Sequence, residues 1–310
     1  MKLIELTRKI AHDLVRLSGT LAEIQRTTQE QKILTAKLHI NEIRRQGVIA
    51  NLHDVEFSVF SQFGDDGIIQ YLINSLEVSP SSFVEIGVED YRESNTRFLL
   101  VNNNWKGLVI DSSPQFVDYI RQDSIYWRHD LTAVKEFITA ESVNEVLRTN
   151  GFSSELGLLS IDIDGNDYWV WRAIDVVRPN IVIVEYNSVF GNTRAVTVPY
   201  DPLFNRTKAH HSNLYYGSSL KAFDLLAREK GYAFVGCNSA GNNAYFVRLD
   251  RLGKINSVEV EVGYVESRFR ESRDREGRLT HLSAAARLRA IEELPVLDLE
   301  TNRLVKISEL

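Results

Sequence analysis

The sequence predicts an α/β fold built on an open, mostly parallel β-sheet. Short apolar strands alternate with helical segments between residues 55 and 250, which is the pattern of parallel strands joined by crossover helices. Two further strands, separated by a short polar segment, follow at the end of this region and predict an antiparallel hairpin at one edge. The chain has 310 residues, 44% of them hydrophobic, which is enough for one large domain with additions at both ends.

Residues 1–50 predict a helical arm ahead of this domain. The segment lacks proline, and its apolar residues recur at spacings of three and four, as in the seam of a coiled coil. Two interpretations remain open: the seam joins copies of the chain into a homo-oligomer, or the helix packs on its own domain. The seam residues are Leu3, Ile10, Leu14, Leu17, Leu21, Ile24 and Leu38.

The domain at 55–250 is predicted element by element from apolar runs and the turn residues that bound them. The five parallel strands are predicted at 83–88, 107–111, 125–130, 156–164 and 181–185. Helices are predicted at 68–76, from 94, from 114, and at 135–149, 168–177 and 218–230. The hairpin strands are 232–237 and 244–249, and a long loop at 188–214 precedes them. Residues 251–310 predict an extension made of a charged loop, a helix at 282–294 and a terminal hairpin.

Composition excludes several classes of protein. The chain has 36 basic and 42 acidic side chains, and a net charge of −6 argues against nucleic acid as a partner, because phosphate binding needs a basic face. The single cysteine cannot form an internal disulfide. No apolar run resembles a signal peptide or approaches a membrane span. We therefore expect a cytoplasmic protein without a transmembrane segment.

Carboxylates follow nearly every predicted parallel strand. Ligands of open parallel sheets bind outside the carboxyl ends of the strands, so these side chains are expected to share one edge. Clustered acids repel one another unless a cation or a hydroxyl-rich ligand lies among them. The sequence therefore predicts a ligand site formed by Glu85, Asp111, Asp130, Asp162, Asp164 and Glu185.

The first two strand ends restrict the type of cofactor. Asp111, at the end of the second strand, is suited to the two neighbouring hydroxyls of a ribose. The turn after the first strand contains only Gly87 and is acidic, whereas a dinucleotide site needs G-x-G-x-x-G to admit a pyrophosphate. A nicotinamide oxidoreductase is therefore disfavoured, and a cofactor with a ribose but no phosphate is favoured.

A series of short motifs in this order resembles the FkbM-like class I S-adenosylmethionine-dependent methyltransferases, over residues 58–250. The motifs are Ser61-Gln62, residues 83–88, 94–96 and 104–107 with Asp111, and residues 159–165 with 183–185. The resemblance implies a Rossmann-like sheet and methyl transfer from S-adenosylmethionine to a sugar hydroxyl, in a polysaccharide or a glycoside. The chain departs from the family at Asp90-Tyr91, where a further glycine is common. That departure keeps an alternative open, a degenerate cofactor-binding scaffold of a glycan-synthesis complex.

The resemblance also implies which residues meet the cofactor. Glu85 to Gly87 would lie beside the methionine portion, Asp111 would bind the ribose, and Asp130 and Leu131 would border the adenine. The full set of expected cofactor contacts is Gln62, Glu85, Gly87, Ser94, Asn95, Asp111, Ser112, Asp130, Leu131 and Asp162.

The turn at 164–168 resembles the metal-binding turn of sugar O-methyltransferases from macrolide pathways. By this resemblance Asp164, Glu185 and Asn187 would hold Mg²⁺, a hard cation that takes oxygen ligands and lowers the pKa of a bound hydroxyl. In the alternative interpretation Asp162 contacts the cofactor, Asp164 caps a helix and no metal binds.

Three side chains are candidates for catalysis. His210 and His211 lie in the long loop, where they could remove the proton of an acceptor hydroxyl, and Asp164 is the third candidate. A structural role for the two histidines is the competing interpretation.

Overall fold

The structure, a computed structural model, describes residues 2–283 and 285–310, with side chains described from residue 12 onward. Its centre is a seven-stranded sheet with the strand order β3-β2-β1-β4-β5-β8-β7. Strands β1 to β5 are parallel, and β8 pairs antiparallel with both β5 and β7. These directions confirm the predicted fold class, a Rossmann-like α/β sheet of five parallel strands with an antiparallel hairpin at one edge and a long N-terminal helix.

The elements follow one another in the order expected of an α/β chain. The strands are β1 (Ser82–Ile86), β2 (Lys106–Asp111), β3 (Leu131–Lys135), β4 (Glu155–Ile161), β5 (Arg178–Glu185), β6 (Val196–Thr197), β7 (Tyr232–Cys237), β8 (Asn243–Arg248), β9 (Pro295–Asp298) and β10 (Arg303–Lys306). The helices are α1 (Lys2–Gln46), α2 (Asp65–Ser75), α3 (Arg97–Asn103), α4 (Pro114–Gln122), α5 (Ser124–Arg128), α6 (Val143–Thr149), α7 (Asp167–Ala173), α8 (Arg206–Ala209), α9 (Leu220–Lys230), α10 (Val260–Gly263) and α11 (Ala285–Arg289).

Both faces of the sheet are covered, as the nearly continuous apolar strands require. Leu147, Trp171 and Phe223, on α6, α7 and α9, pack on one face. Leu72 and Leu99, on α2 and α3, pack on the other. The strand order changes direction between the neighbouring strands β1 and β4. This switch point leaves an open crevice at the carboxyl ends of the strands, where such folds bind their ligands.

The predicted strand at 125–130 is wrong. Residues Ser124–Arg128 form α5 instead, which begins where the side chain of Asp123 accepts a hydrogen bond from the Ile125 backbone N–H at 3.1 Å. The third strand is β3, Leu131–Lys135, whose alternating burial fits an edge strand. The aromatic and β-branched residues of α5 have high strand propensity, which led to the wrong prediction. In the structure, the helix cap and tertiary packing outweigh that propensity.

Several predicted helices are shorter in the structure. The helix predicted at 135–149 is only Val143–Thr149, because β3 extends to Lys135 and residues 136–142 run beside the sheet edge. The helix predicted at 168–177 ends at Ala173. In the extension, Ala285–Arg289 is helical where 282–294 was predicted. The terminal hairpin is confirmed by the pairing of β9 with β10.

The segment predicted as a loop at 188–214 contains β6 and α8. Strand β6 pairs antiparallel with β9, so the segment and the C-terminal extension form one three-stranded sheet. Val196, Leu214, Ile291 and Val296 are buried in a small core that the two regions share. The extension therefore supports the segment that lies over the carboxyl edge of the main sheet.

Helix α1 packs on the domain only through its last third. Ala36, Ile40 and Ile43 are buried there, against residues such as Phe60 and Phe98. The described seam residues do not pack on the domain: Leu14, Leu17, Leu21, Ile24 and Leu38 are 52–71% exposed. Among the described residues, no helix is long and apolar enough to cross a membrane.

Candidate active site

A cleft of about 610 Å³ lies at the carboxyl ends of the parallel strands. Its walls come from the ends of β1, β2, β4 and β5, from the segment at 136–138 after β3, and from the α8 region. Of the predicted cofactor contacts, eight line this cleft: Gln62, Glu85, Gly87, Ser94, Asn95, Asp111, Ser112 and Asp162.

The cleft is strongly acidic. Within the described part of the chain, ten carboxylates and one basic side chain, Arg206, line it. Such a surface repels phosphates and favours a ligand with positive charge and hydroxyl donors. The carboxylates are Asp65, Glu85, Glu89, Glu93, Asp111, Glu136, Asp162, Asp164, Glu185 and Glu271.

The turn after β1 brings backbone against backbone at Gly87. Its φ is +82°, and a Cβ at this position would stand 1.7 Å from the carbonyl oxygen of Asp162. Only glycine fits both the torsion angle and this approach. The close approach joins the ends of β1 and β4 and leaves an unobstructed floor for a ligand.

Tyr91 occupies the position where the sequence departs from the family. Its φ of +63° is the left-handed conformation that glycine adopts readily, so the turn keeps a glycine-like shape with a tyrosine in place. The side chain is fully buried, and its hydroxyl shares a 2.9 Å hydrogen bond with the hydroxyl of Thr96. Tyr91 does not line the cleft, so it leaves the ligand space open.

Glu85 is a buried carboxylate that orders the next loop. Its oxygens accept hydrogen bonds from the backbone N–H groups of Asn95 at 2.9 Å and Thr96 at 3.2 Å, and from the Thr96 hydroxyl at 2.5 Å. Burial raises the pKa of Glu85 to about 7 although these hydrogen bonds lower it. Glu85 therefore holds Ser94 and Asn95 at the cleft wall.

Asp111 ends β2 with its carboxylate held by the backbone. Oδ2 accepts a hydrogen bond from the Glu89 N–H at 2.9 Å, and Oδ1 accepts one from the Ser113 N–H at 2.8 Å. Each carboxylate oxygen can accept more than one hydrogen bond, so both keep capacity for a ligand. A fixed carboxylate with free lone pairs fits the two hydroxyls of a ribose, as predicted for this residue.

Asp130 and Leu131 do not line the cleft. They lie at the start of β3, at the opposite edge of the sheet from the strand ends, because the predicted third strand was placed too early. The segment after β3 takes their place at the cleft: Glu136, Phe137 and Ile138. Phe137 is 47% exposed and offers an aromatic face to a planar ring.

At the other end of the cleft two buried carboxylates have an unpaired oxygen. Oδ2 of Asp65 and Oε2 of Glu185 have no hydrogen-bond partner among the described residues. They lie on either side of Asn243, which pairs with Glu185 across the β5–β8 ladder and donates from Nδ2 to Asp65 Oδ1 at 2.9 Å. Burial, followed by the charge of Asp162, raises the pKa of Glu185 well above its usual value. Unpaired buried oxygens of this kind mark a place for ligand donors.

The structure does not assemble the predicted magnesium site. Asp164 is bound by Arg206, whose Nη1 donates to Oδ1 at 2.6 Å. Asn187 lies outside the cleft lining: its Nδ2 donates to Leu214 O and Tyr216 O, both at 2.9 Å, while Oδ1 accepts from the Val189 N–H at 3.0 Å. Nowhere in residues 12–283 and 285–310 do three His, Cys, Asp or Glu side chains form a group able to hold a metal ion. The donor set therefore does not fit Mg²⁺.

The two predicted histidines lie outside the cleft lining. His210 ends α8, and its Nδ1 is 2.7 Å from the Ser212 hydroxyl, so it serves the local turn. Its pKa is lowered by burial and by the neighbouring His211, whose ring centroid is 4.1 Å away. His211 is exposed. Neither side chain reaches the cleft walls in this arrangement.

Sequence reasoning missed several residues that line the cleft. Asp65 and Asn243 lie far apart in sequence and meet through the hairpin, and Arg206 comes from a short helix inside the predicted loop. Glu271 comes from the extension. The Gly-Asp-Asp-Gly sequence at 64–67 did not single out Asp65, because acids in the first turn of a helix are common for reasons of helix stability.

The sequence matches no protein-family model and no curated protein. Solved structures that resemble its fold include an O-methyltransferase from Bacillus cereus in complex with SAH, with 16% identity, 68% of this chain and 90% of that chain covered, and a TM-score of 0.37. An S-adenosylmethionine-dependent methyltransferase from Clostridium acetobutylicum has 8% identity, coverage of 57% and 87%, and a TM-score of 0.36. The methyltransferase domain of bacterial CtHen1-CN has 14% identity, coverage of 59% and 96%, and a TM-score of 0.37. Because these TM-scores are below 0.5, the function proposed below rests on the residues of the cleft.

Proposed function

We propose that this protein is an S-adenosylmethionine-dependent O-methyltransferase that acts on a sugar hydroxyl. The observation that carries the proposal is the acidic cleft with Asp111 fixed at the end of β2 and Gly87 packed against Asp162. S-adenosylmethionine would supply a methyl group on a positively charged sulfur, together with an ammonium group and a ribose. An acidic surface without phosphate-binding glycines complements those charges.

Different residues of the cleft would contact the ribose, the adenine and the methionine portion of this cofactor. Asp111 would accept hydrogen bonds from the ribose, and Phe137 would lie against the adenine with Ser112 close by. Glu85 would keep the Ser94–Asn95 loop in place beside the methionine portion. These assignments replace Asp130 and Leu131, which lie away from the cleft.

The acceptor would occupy the end of the cleft near β5 and β8. Asp65 and Glu185 each have a buried oxygen without a partner among the described residues, which suits an acceptor with several hydrogen-bonding groups. Neighbouring hydroxyls of a sugar meet this need. Methyl transfer to a hydroxyl also requires a proton acceptor, and a carboxylate of this buried group is better placed for that role than His210 or His211.

A glycan pathway and membership of the FkbM-like group are part of the same proposal, and they depend on the motifs quoted above. We place the reaction in the cytoplasm, since the lone cysteine is buried and calls for no oxidising compartment. The alternative, a degenerate scaffold, drew its support from Tyr91. That support is weakened because Tyr91 keeps the turn in a glycine-like conformation and leaves the cleft open.

The N-terminal helix would join copies of the chain. The seam residues Leu14, Leu17, Leu21 and Ile24 lie on a part of α1 that is exposed throughout, from residue 12 to residue 28. A Leu17→Glu, Leu21→Glu double variant should convert a dimer or larger assembly to a monomer in sedimentation equilibrium, whereas Val15→Glu, on another face, should not. A wild-type chain that sediments as a monomer would remove this part of the proposal.

Calorimetry with S-adenosylhomocysteine tests the cofactor, and tritium transfer from labelled S-adenosylmethionine to a glycan extract tests the reaction. We expect one binding site per chain and label in the carbohydrate fraction, both reduced in Asp111→Ala. Absence of binding would refute the methyltransferase proposal. Binding without transfer to any carbohydrate would instead favour the scaffold.

A further inference from the structure

We infer that Arg206 is the resident cation at the acceptor end of the cleft, where it binds and orients the acceptor hydroxyl without a divalent metal. The inference rests on the proposed function for the identity of the acceptor. The turn at 164–168 resembles a magnesium site in sequence, but its Asp164 is bound by an arginine.

Arg206 is held from three directions. Nη1 donates to Asp164 Oδ1 at 2.6 Å, and Nε donates to the backbone oxygen of Asn213 at 2.8 Å. The guanidinium carbon lies 3.9 Å from the ring centroid of Tyr216, which is a close cation–π contact. The arginine side chain is only 16% exposed. Such a fixed guanidinium is already ordered before a ligand arrives, which reduces the entropic cost of binding.

The charges around Arg206 suit a resident cation. The Arg206 guanidinium is ion-paired with Asp164, and Glu185 lines the same cleft. Because Arg206 is the one basic side chain among the described cleft residues, it alone balances this group of carboxylates.

Several groups of the metal-like turn are bonded to the protein itself. Asp167 accepts hydrogen bonds from the backbone N–H groups of Ile163 and Gly165, both at 2.9 Å. Asn166 Nδ2 donates to the backbone oxygen of Asp201 at 2.8 Å, which ties the turn to the segment that precedes α8. Together with the Arg206–Asp164 ion pair, these contacts fix the turn in place, and within residues 12–283 and 285–310 no three His, Cys, Asp or Glu side chains form a group able to hold a metal ion.

Further contacts tie the α8 segment to the turn. Phe204 packs over Gly165, where a Cβ would stand 2.2 Å from the Phe204 ring. The segment therefore holds Arg206 at the cleft from one side while Asp164 holds it from the other.

A guanidinium has more N–H donors than the contacts to Asp164 and Asn213 use. Because Arg206 and Glu185 both line the cleft, the remaining donors of Arg206 can bind the oxygen of an acceptor hydroxyl while a carboxylate accepts its proton. A donor held in this way stabilises negative charge on that oxygen, which is the contribution that a metal would otherwise make.

The first test uses Mn²⁺ alone, followed by the electron paramagnetic resonance signal of the free ion. We expect the intact wild-type chain to leave the signal of added Mn²⁺ unchanged, with Glu185→Gln indistinguishable from it. Stoichiometric uptake of Mn²⁺ by the wild type that Glu185→Gln abolishes would overturn the inference. This test needs neither acceptor nor S-adenosylmethionine, so its outcome is separate from that of the methyltransferase proposal.

The second test measures tritium transfer and S-adenosylhomocysteine affinity in parallel. Arg206→Met should lose about 100-fold in transfer while keeping its affinity for S-adenosylhomocysteine, and added guanidinium should restore part of the transfer in Arg206→Ala. Arg228→Met, on α9, is the matched control, since Arg228 pairs with Asp224 and Glu259 outside the cleft. Full transfer by Arg206→Met, or transfer by the wild type that EDTA abolishes and Mg²⁺ restores, would contradict the inference.

Discussion

Gly87 lies directly against the backbone of Asp162, so that a single added Cβ would stand 1.7 Å from the Asp162 carbonyl oxygen. The contact connects the ends of β1 and β4, and the backbone continues it: the Gly87 N–H donates to Ile110 O at 2.9 Å and the Asp162 N–H to Ile86 O at 3.0 Å. Three neighbouring strands therefore end in one fixed arrangement. The cleft depends on this arrangement because residues at the ends of these three strands, Gly87, Asp111 and Asp162, line it.

Gly87→Ala should destabilise the chain and abolish cofactor binding, because the methyl group must displace backbone that two strands hold in place. Gly151→Ala is the matched control: Gly151 has φ +80°, but a Cβ there meets nothing within 4 Å. We expect the control to cost about 1–2 kcal/mol from backbone strain alone, with binding intact. Urea denaturation and calorimetry with S-adenosylhomocysteine measure the two effects. Equal stability of the two variants would show that the contact with Asp162 is unimportant.

Asp111→Asn should weaken S-adenosylhomocysteine binding by about 10- to 100-fold, because hydrogen bonds to a charged acceptor contribute about 1.5–3 kcal/mol. The amide keeps one oxygen for the backbone and loses the charge that accepts from two hydroxyls. Asp118→Asn, an exposed acid on α4, should leave the affinity unchanged. Calorimetry at one ionic strength makes the comparison. An unaltered affinity in Asp111→Asn would remove the ribose assignment.

The sequence predicted the central sheet because each inner strand is a short apolar segment that ends in glycine or acid. It failed at β3, an edge strand in which only Leu131 and Ala133 are buried, so its apolar signal is weaker than that of the adjacent α5. The error carried into the site, since it placed Asp130 at the wrong end of the third strand. An edge strand is fixed by its pairing with β2, which no local pattern contains.

The sequence predicted those residues of the site that directly follow a strand. It did not predict those that reach the site through contacts between segments far apart in sequence. Asp111, Glu85 and Asp162 follow strands directly, so topology alone brings them together. Arg206 reaches the cleft because α8 folds back over the sheet, and Asp65 because the hairpin places Asn243 beside it. Such contacts join residues more than 40 positions apart, and they follow from packing that a single sequence does not reveal.

Glu85 should make the stability of the fold depend on pH. Burial raises its pKa from 4.5 to about 7 in the folded chain, so the folded state binds this proton more tightly than the unfolded state does. The free energy of unfolding should therefore fall as pH rises from about 4.5 to about 7, by at most about 3 kcal/mol from this residue. The group contributes no further change above that range.

Urea denaturation in steps across this pH range measures the slope. Glu85→Gln should flatten part of it, and Asp66 and Asp167, whose pKa values burial raises to about 6, should account for slope that remains. Glu145→Gln, an exposed side chain on α6, is the control and should retain the wild-type slope. If the dependence of stability on pH is the same in Glu85→Gln as in the wild type, the pKa of Glu85 does not differ between the folded and the unfolded chain.

Asp65→Asn should weaken binding of the acceptor and leave binding of the cofactor unchanged. Oδ1 of Asp65 accepts from Asn238 Nδ2 at 3.0 Å, from Asn243 Nδ2 at 2.9 Å and from the Tyr245 hydroxyl, and an asparagine oxygen can keep these bonds. In the variant an amide NH₂ group replaces the unpaired Oδ2. This group can only donate, so it repels the hydrogen that a ligand hydroxyl would direct toward it.

We therefore expect the KM for a carbohydrate acceptor to rise about 10- to 100-fold in Asp65→Asn, with unchanged affinity for S-adenosylhomocysteine. Asp224→Asn is the matched control, since Asp224 is an equally buried acid that pairs with Arg228 on α9, away from the cleft. Tritium transfer at graded acceptor concentrations gives the KM, and thermal unfolding confirms that both variants fold. If the KM changes equally in both variants, the effect comes from losing a buried acid and not from an acceptor contact. A rise confined to Asp65→Asn identifies Asp65 as the residue that turns the end of the cleft near β8 into a site for a donor-rich acceptor.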